Sequence, residues 1–162
     1  MGLFGSKNNG EINVKAMSGK IKSICARSFM GGSDFYDSLE GDTFTVSALN
    51  SLSTQLKEAL GYSFSAFGAA AACVSVTRYG SITVELFTDK DEAKNKQPAF
   101  PSIASALEGK GYTVFYSNQR EEGSSASISI SKDGVTKDEL QTVLPAMLND
   151  VAIYAVRVLQ RY

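Results

Sequence analysis

Apolar residues recur at helical spacing from Asn13 to Phe29, at Val14, Met17, Ile21, Ile24 and Cys25, with Lys15, Lys20, Lys22 and Arg27 off that stripe. The pattern predicts a basic amphipathic helix in spite of Gly19, behind a flexible, glycine-rich leader over residues 1–12. Gly31-Gly32-Ser33 ends it, and the acidic stretch to Asp42 shows no period, reading as a connection or a poorly periodic first turn. Thr45 is a credible N-cap ahead of Val46, Leu49, Leu52, Leu56 and Leu60, which predicts a second helix closed by Gly61. The period then falls to two. Tyr62 to Phe67 alternates, and Ala71 to Tyr79 puts Val74 and Val76 on one face with Ser75 and Thr77 on the other. Gly80 turns the chain into a strand with Ile82, Val84 and Leu86 facing in and Thr83 and Glu85 facing out. Thr88 to Gln97 is a charged loop. Pro101 opens a short helix through Ile103, Ala106 and Leu107 that stops at Gly109 and Gly111. Tyr112 to Ser117 and Ala126 to Ser131 form a further hairpin around the polar loop Asn118 to Ser125. Thr136 with Glu139 makes a capping box for a last helix, and Pro145 should kink or split that helix.

The chain also repeats part of itself. Ala72-Cys73-Val74-Ser75-Val76-Thr77-Arg78-Tyr79-Gly80 returns as Ala126-Ser127-Ile128-Ser129-Ile130-Ser131-Lys132-Asp133-Gly134, each copy downstream of a Gly-Tyr pair, Gly61-Tyr62 and Gly111-Tyr112. The predicted fold class is therefore α+β: an antiparallel five-stranded sheet with helices mainly on one face, in the order α-β-β-β-α-β-β-α after the N-terminal helix. Residues 1–44 hold the leader, the basic helix and the acidic connection, and residues 45–162 a single domain built on the helix-hairpin pseudo-repeat.

That order over about residues 45 to 160, with Leu107-Glu108-Gly109-Lys110-Gly111-Tyr112 leading into a hairpin, resembles the type III secretion chaperone-like fold and the related bacterial sensory-transduction-regulator domains. The resemblance implies a small, acidic, dimeric binding module without catalysis. The basic N-terminal helix lies outside the usual pattern of those families.

Charge sharpens the picture. The net charge of -1 argues against a general nucleic-acid binder, which needs clustered cations. Residues 1 to 33 nevertheless carry +4 and the remainder -5. Asp34, Asp37, Glu40 and Asp42 come directly after the basic segment, so it either neutralises its own neighbour or meets a partner. Cys25 and Cys73 are too few for a disulfide scaffold or a metal site, and Cys73 in a strand reads as a buried thiol. No apolar h-region of a signal peptide and no run near the ~20 apolar residues of a membrane span is expected, which points to the cytoplasm. Met1-Gly2-Leu3-Phe4-Gly5-Ser6 fits a myristoylation pattern, but peripheral membrane contact through it is the lesser reading.

Histidine is absent, which removes the usual proton-transfer side chain of nucleophilic catalysis. Glu58, Glu85 and Glu108 read as solvated single carboxylates. Asp89, Asp91 and Glu92 lack the spacing of a calcium loop, and Gly31-Gly32-Ser33 lacks the Walker lysine. No catalytic residue, cofactor or metal is assigned. The expected function is a non-enzymatic protein-binding or chaperone-like module, a homodimer or larger. The alternative is a structural subunit of a phage or bacterial assembly with an ordering N-terminal arm. The candidate contact surface is the small polar sheet face, Ser75, Thr77, Thr83, Glu85, Ser127 and Ser129, with the aromatic residues Phe64, Phe67, Phe115 and Tyr116 nearby. An enzyme with carboxylate chemistry is the third class and would need convergent carboxylates in a deep pocket.

Overall fold

A computed structural model describes residues 10–31, 34–49, 71–88, 93–117 and 126–162. Helix α1 spans Val14–Ala26, and the Asn13 side chain caps it by accepting from the Ala16 amide at 3.0 Å. Its stripe buries Val14, Ile21, Ile24 and Cys25 as the spacing predicts. The end of the expected leader is not loose: Ile12 is buried, its amide donates to the Arg78 carbonyl at 2.8 Å, and the Gly10 carbonyl accepts from Lys137 at 3.2 Å.

Neither the acidic connection nor the start of the expected second helix keeps its predicted form. Asp34–Glu40 is strand β1, and Thr43–Leu49 is strand β2, joined by the two-residue turn Gly41-Asp42. The anticipated N-cap Thr45 lies inside β2, so a domain boundary there would cut a strand. Phe44, Val46 and Ala48 alternate inward, a period-two pattern that overrides the looser helical spacing of Val46 and Leu49. Residues 50–60 of that helix, the expected strand Tyr62 to Phe67 and the polar loop 118–125 lie outside the described residues.

Strands β3 (Ala71–Thr77), β4 (Ile82–Phe87), β5 (Thr113–Tyr116) and β6 (Ser127–Lys132) form where alternation predicts them. The described sheet is antiparallel with six strands in the order β1-β2-β3-β4-β6-β5, rather than five. The two repeated segments, β3 and β6, flank β4 on either side. On the inner face Val46, Val74, Val84, Ile130 and Val114 form one row, and Ala48, Ala72, Leu86, Ile128 and Tyr116 the next. Val74, Val76, Ile82, Val84, Leu86, Ile128 and Ile130 are all buried, each contributing about 1.5–3 kcal/mol.

Both repeats end in a left-handed glycine, Gly80 at φ 87° and Gly134 at φ 74°. The repeats meet there, since the Gly80 carbonyl accepts from the Val135 amide at 3.0 Å.

The helices gather on the inner face, where α1 packs on β2 and β3. The charged stretch before Pro101 holds more structure than a loop. Ala93–Lys96 forms a short helix, α2, and Lys96 is only 4% exposed, its Nζ bonded to the carbonyls of Leu159 at 2.5 Å and Tyr162 at 3.2 Å. Helix α3, Phe100–Glu108, buries Phe100, Ile103, Ala104 and Leu107. The capping box is realised: the Thr136 amide and hydroxyl donate to Glu139 Oε1 at 3.1 and 2.8 Å, which holds that carboxylate below its usual range.

Helix α4, Leu140–Val151, runs unbroken through Pro145 and continues in a wider turn, Ala152–Val156, and a last turn, Arg157–Leu159. Pro145 and Gln141, whose carbonyl loses its donor, are both exposed, so the freed group is open to solvent and the helix does not split. Leu140–Leu159 is a 20-residue helical stretch long and apolar enough by length and composition to cross a membrane, its most apolar 18-residue window having a mean hydropathy of 1.4. Its polar positions are few, and Leu144, Met147, Leu148 and Val151 lie in the core shared with the sheet.

Candidate functional site

No described helix covers the outer face of the sheet. Register places Ser38, Thr45, Ser75, Thr83, Ser131 and Thr113 in one row across all six strands, and Tyr36, Ser47, Cys73, Glu85, Ser129 and Phe115 in the adjacent row. The hydroxyls satisfy one another laterally. Thr45 Oγ1 lies 3.0 Å from Ser75 Oγ, Thr83 Oγ1 lies 3.1 Å from Ser131 Oγ, and Ser47 Oγ lies 3.3 Å from Cys73 Sγ. Such pairs keep the surface flat and tie adjacent strands.

Glu85 is the one carboxylate in these two rows. Partial burial among the hydroxyls raises its pKa, and a hydrogen bond from Ser127 opposes the rise. Each end of its row carries an exposed aromatic, Tyr36 at 58% and Phe115 at 69% exposure.

Of the residues expected on the contact surface, Ser75, Thr83, Glu85, Phe115, Ser127 and Ser129 come together on this face. Thr77 shares it at the turn end of β3, where its hydroxyl accepts from the Ser81 amide at 3.1 Å. Tyr116 does not belong to it. It pairs with Ile128 on the inner face and packs edge-on against Phe100 with ring centroids 6.1 Å apart. Phe64, Phe67 and Glu58 lie outside the described residues. Cys73 is half-buried on the outer face rather than in the core, because Val74 and Val76 take the inward parity, whereas Cys25 is buried and its thiol pushed up to about 12. Sequence reading missed Tyr36, Ser38, Thr45 and Ser47. The signal for them is the alternation Phe44-Val46-Ala48.

The sheet edges differ. The Arg78 amide donates to the Asp42 carbonyl at 2.8 Å, which fixes the alternation of hydrogen-bonded pairs and turns the backbone of Phe35, Asp37 and Leu39 away from β2. A second β1 pairing antiparallel on that edge would set Asp37 against Asp37, a like-charge contact that opposes it. Asp37 instead faces Lys22 of α1 at 3.5 Å, so the basic helix does neutralise part of its acidic neighbour.

A groove of about 610 Å³ lies between the start of α1 and the tip of the β1–β2 hairpin, lined by Val14, Met17 and Leu39 with Lys15, Arg78 and Lys137. Its two carboxylates, Glu11 and Asp42, lie 2.9 and 3.9 Å from the Arg78 guanidinium. Glu108 ends α3 in solvent, away from this groove.

No protein-family profile and no curated protein matches the chain. Among solved structures, the crystal structure of YbjN from E. coli is similar at a TM-score of 0.47 and 10% sequence identity, over 91% of this chain and 91% of that one. The α+β class of this chain rests on its own strand register.

Proposed function

We propose that this chain is a non-enzymatic protein-binding module that works through the outer face of its sheet. The observation that supports this reading is a row of six serines and threonines across the sheet beside a second row in which Ser47, Cys73, Glu85 and Ser129 lie between exposed Tyr36 and Phe115, with no described helix over them. Aromatic residues at the ends of a flat field supply apolar contact area, and short side chains let a partner approach the backbone closely. The absence of histidine from the sequence supports the non-catalytic part of the proposal. So does the engagement of both groove carboxylates by Arg78. Residues 10–12 are bonded to this chain's own turns at Arg78 and Lys137, which favours a binding module over a subunit whose arm orders only on a neighbour.

A photo-crosslinking residue placed at Ser129 on the outer face, and separately at exposed Lys20 on α1, tests the proposal in the producing cell. Protein adducts form at 129, are lost in Thr83→Arg, and are absent at 20. Equal labelling at both positions, or none at 129, refutes it.

A further inference from the structure

The outward positions of the six described strands hold Asp34, Glu40 and Glu85, and neither a lysine nor an arginine. Glu40 ends the edge strand β1 and is exposed. Glu85 sits instead on β4, the fourth strand of six, half-buried between Cys73 and Ser129, with Thr83 and Phe87 before and after it on its own strand. Among the described residues Ser127 donates to its carboxylate, and no cation pairs with it. From Glu85 the row runs two strands to Phe115 and three to Tyr36, about 10 Å and about 14 Å. Water therefore reaches the carboxylate from above the sheet and not from its edges. A partner laid on this face removes that water. A carboxylate desolvated without a counter-charge opposes binding, and its hydroxyl neighbours offset only part of the cost.

We infer that the protein segment recognised by the outer face carries a lysine or arginine that seats on Glu85, flanked by apolar side chains that cover Phe115 and Tyr36; this rests on the protein-binding reading and names the chemistry of its partner. Charge complementarity selects that occupant: every charged outward position of the sheet is acidic, so an aspartate or glutamate brought over Glu85 meets like charge, and a phosphate backbone is repelled. Size agrees with charge. Cys73, Thr83 and Ser129 are short, so the space above Glu85 admits a long cationic side chain between the two aromatic ends of the row. An ammonium or guanidinium group there has N–H donors for the carboxylate, and those left over meet hydroxyl oxygens such as that of Ser129. A divalent ion is the poorer match, because one carboxylate among neutral hydroxyls supplies too few charged oxygens to hold it. Central placement makes the pair a selector: a partner lacking the cation leaves Glu85 buried and unpaired, whereas a charge opposite exposed Glu40 at the rim is screened by solvent.

The test presents the full chain to a random peptide library displayed on phage, with counter-selection on Thr83→Arg so that only peptides bound to the outer face are kept. Those peptides carry a lysine or arginine. Replacing it with methionine weakens binding to the unsubstituted chain by about tenfold or more and binding to Glu85→Gln by less than about twofold, the coupling expected of a direct pair. Glu85→Gln alone weakens the parent peptide by about tenfold, and Glu40→Gln by less than about twofold. In the producing cell, adducts at 129 are lost in Glu85→Lys and kept in Glu40→Lys. Urea unfolding verifies that all four variants at 85 and 40 fold. Face-binding peptides without a lysine or arginine, an equal methionine penalty on both chains, or adducts at 129 that survive Glu85→Lys overturn the inference and leave the protein-binding reading intact. A library that yields no face-binding peptide overturns the inference too, and the lack of any adduct at 129 overturns the protein-binding reading with it.

Discussion

Gly80 and Gly134 hold equivalent places in the two repeats and similar left-handed backbones, yet replacing them with alanine should have unequal consequences. An alanine held at positive φ costs about 1–2 kcal/mol wherever it sits. At Gly134 nothing lies within 4 Å of an added Cβ, so that is the whole cost. At Gly80 the Cβ would overlap the Val135 carbonyl oxygen and come within 2.9 Å of the Val135 carbonyl carbon and nitrogen. The turn must move away, and the hydrogen bond from the Val135 amide to the Gly80 carbonyl is lost with it. Losing that bond adds about 1 kcal/mol before any repacking, for a total of about 3 kcal/mol. With a urea m-value of about 2 kcal/mol/M and the positive-φ cost taken as about 2 kcal/mol at both glycines, Gly80→Ala should lower the midpoint by about 1.5 M and Gly134→Ala by about 1 M. Equilibrium urea unfolding followed by far-UV circular dichroism reads both. If the two losses agree within about 0.5 kcal/mol, the close approach of the repeats at Val135 is wrong and the glycines serve only their own turns.

Three titratable groups, each at least partly buried, give further outcomes. The Tyr112 hydroxyl donates to Asp150 at 2.6 Å, and burial followed by that hydrogen bond pushes its pKa well above the ordinary tyrosine value. Its contribution is complete below about pH 10 and is lost as pH rises beyond it, so Tyr112→Phe should flatten the alkaline fall in urea midpoint; an unchanged alkaline profile refutes the assignment. The Cys25 thiol, raised to about 12 by burial, should resist a thiol reagent at pH 8 until the chain unfolds, while half-buried Cys73 reacts in the folded chain. Rapid titration of both thiols in the native chain contradicts the burial. Glu85, raised by desolvation, favours the folded state when protonated, so its own contribution to stability should fall as pH climbs from about 4 toward neutrality. Glu85→Gln should therefore raise the urea midpoint at pH 7 relative to that at pH 4 when compared with the unsubstituted chain, and an unchanged pH profile counts against it.

The central strands were legible because both of their faces obey one rule. Val74, Val76, Val84, Ile128 and Ile130 point to helices, and the serines and threonines between them point away. β1 was illegible for the opposite reason. Its inner position opposite Val46 is Asp37, stabilised by Lys22 from a helix a dozen residues upstream, so no alternation of apolar residues marks the strand. β2 carried two periods at once, and Thr45 looked like a cap because threonine suits both a helix start and a hydroxyl ladder. The outer face was readable wherever its strands were, and Tyr36 was lost with β1. Tyr116 and Cys73 show that strand parity decides placement: one aromatic was drawn inward and one thiol outward by neighbours whose side chains leave no choice. Lys96 could not be found by composition, since a lysine in a charged run gives no sign that its ammonium group closes the end of a distant helix.

The bonds from Gly10 to Lys137 and from Ile12 to Arg78 join residues 10–12 to segments synthesised much later. β1 through β4 are neighbours in chain order and can assemble as a meander while the polypeptide is still emerging from the ribosome. β6 must then reach the exposed side of β4 with β5 outside it. Only after residue 137 has been translated can Gly10 dock, so this early segment is among the last to settle.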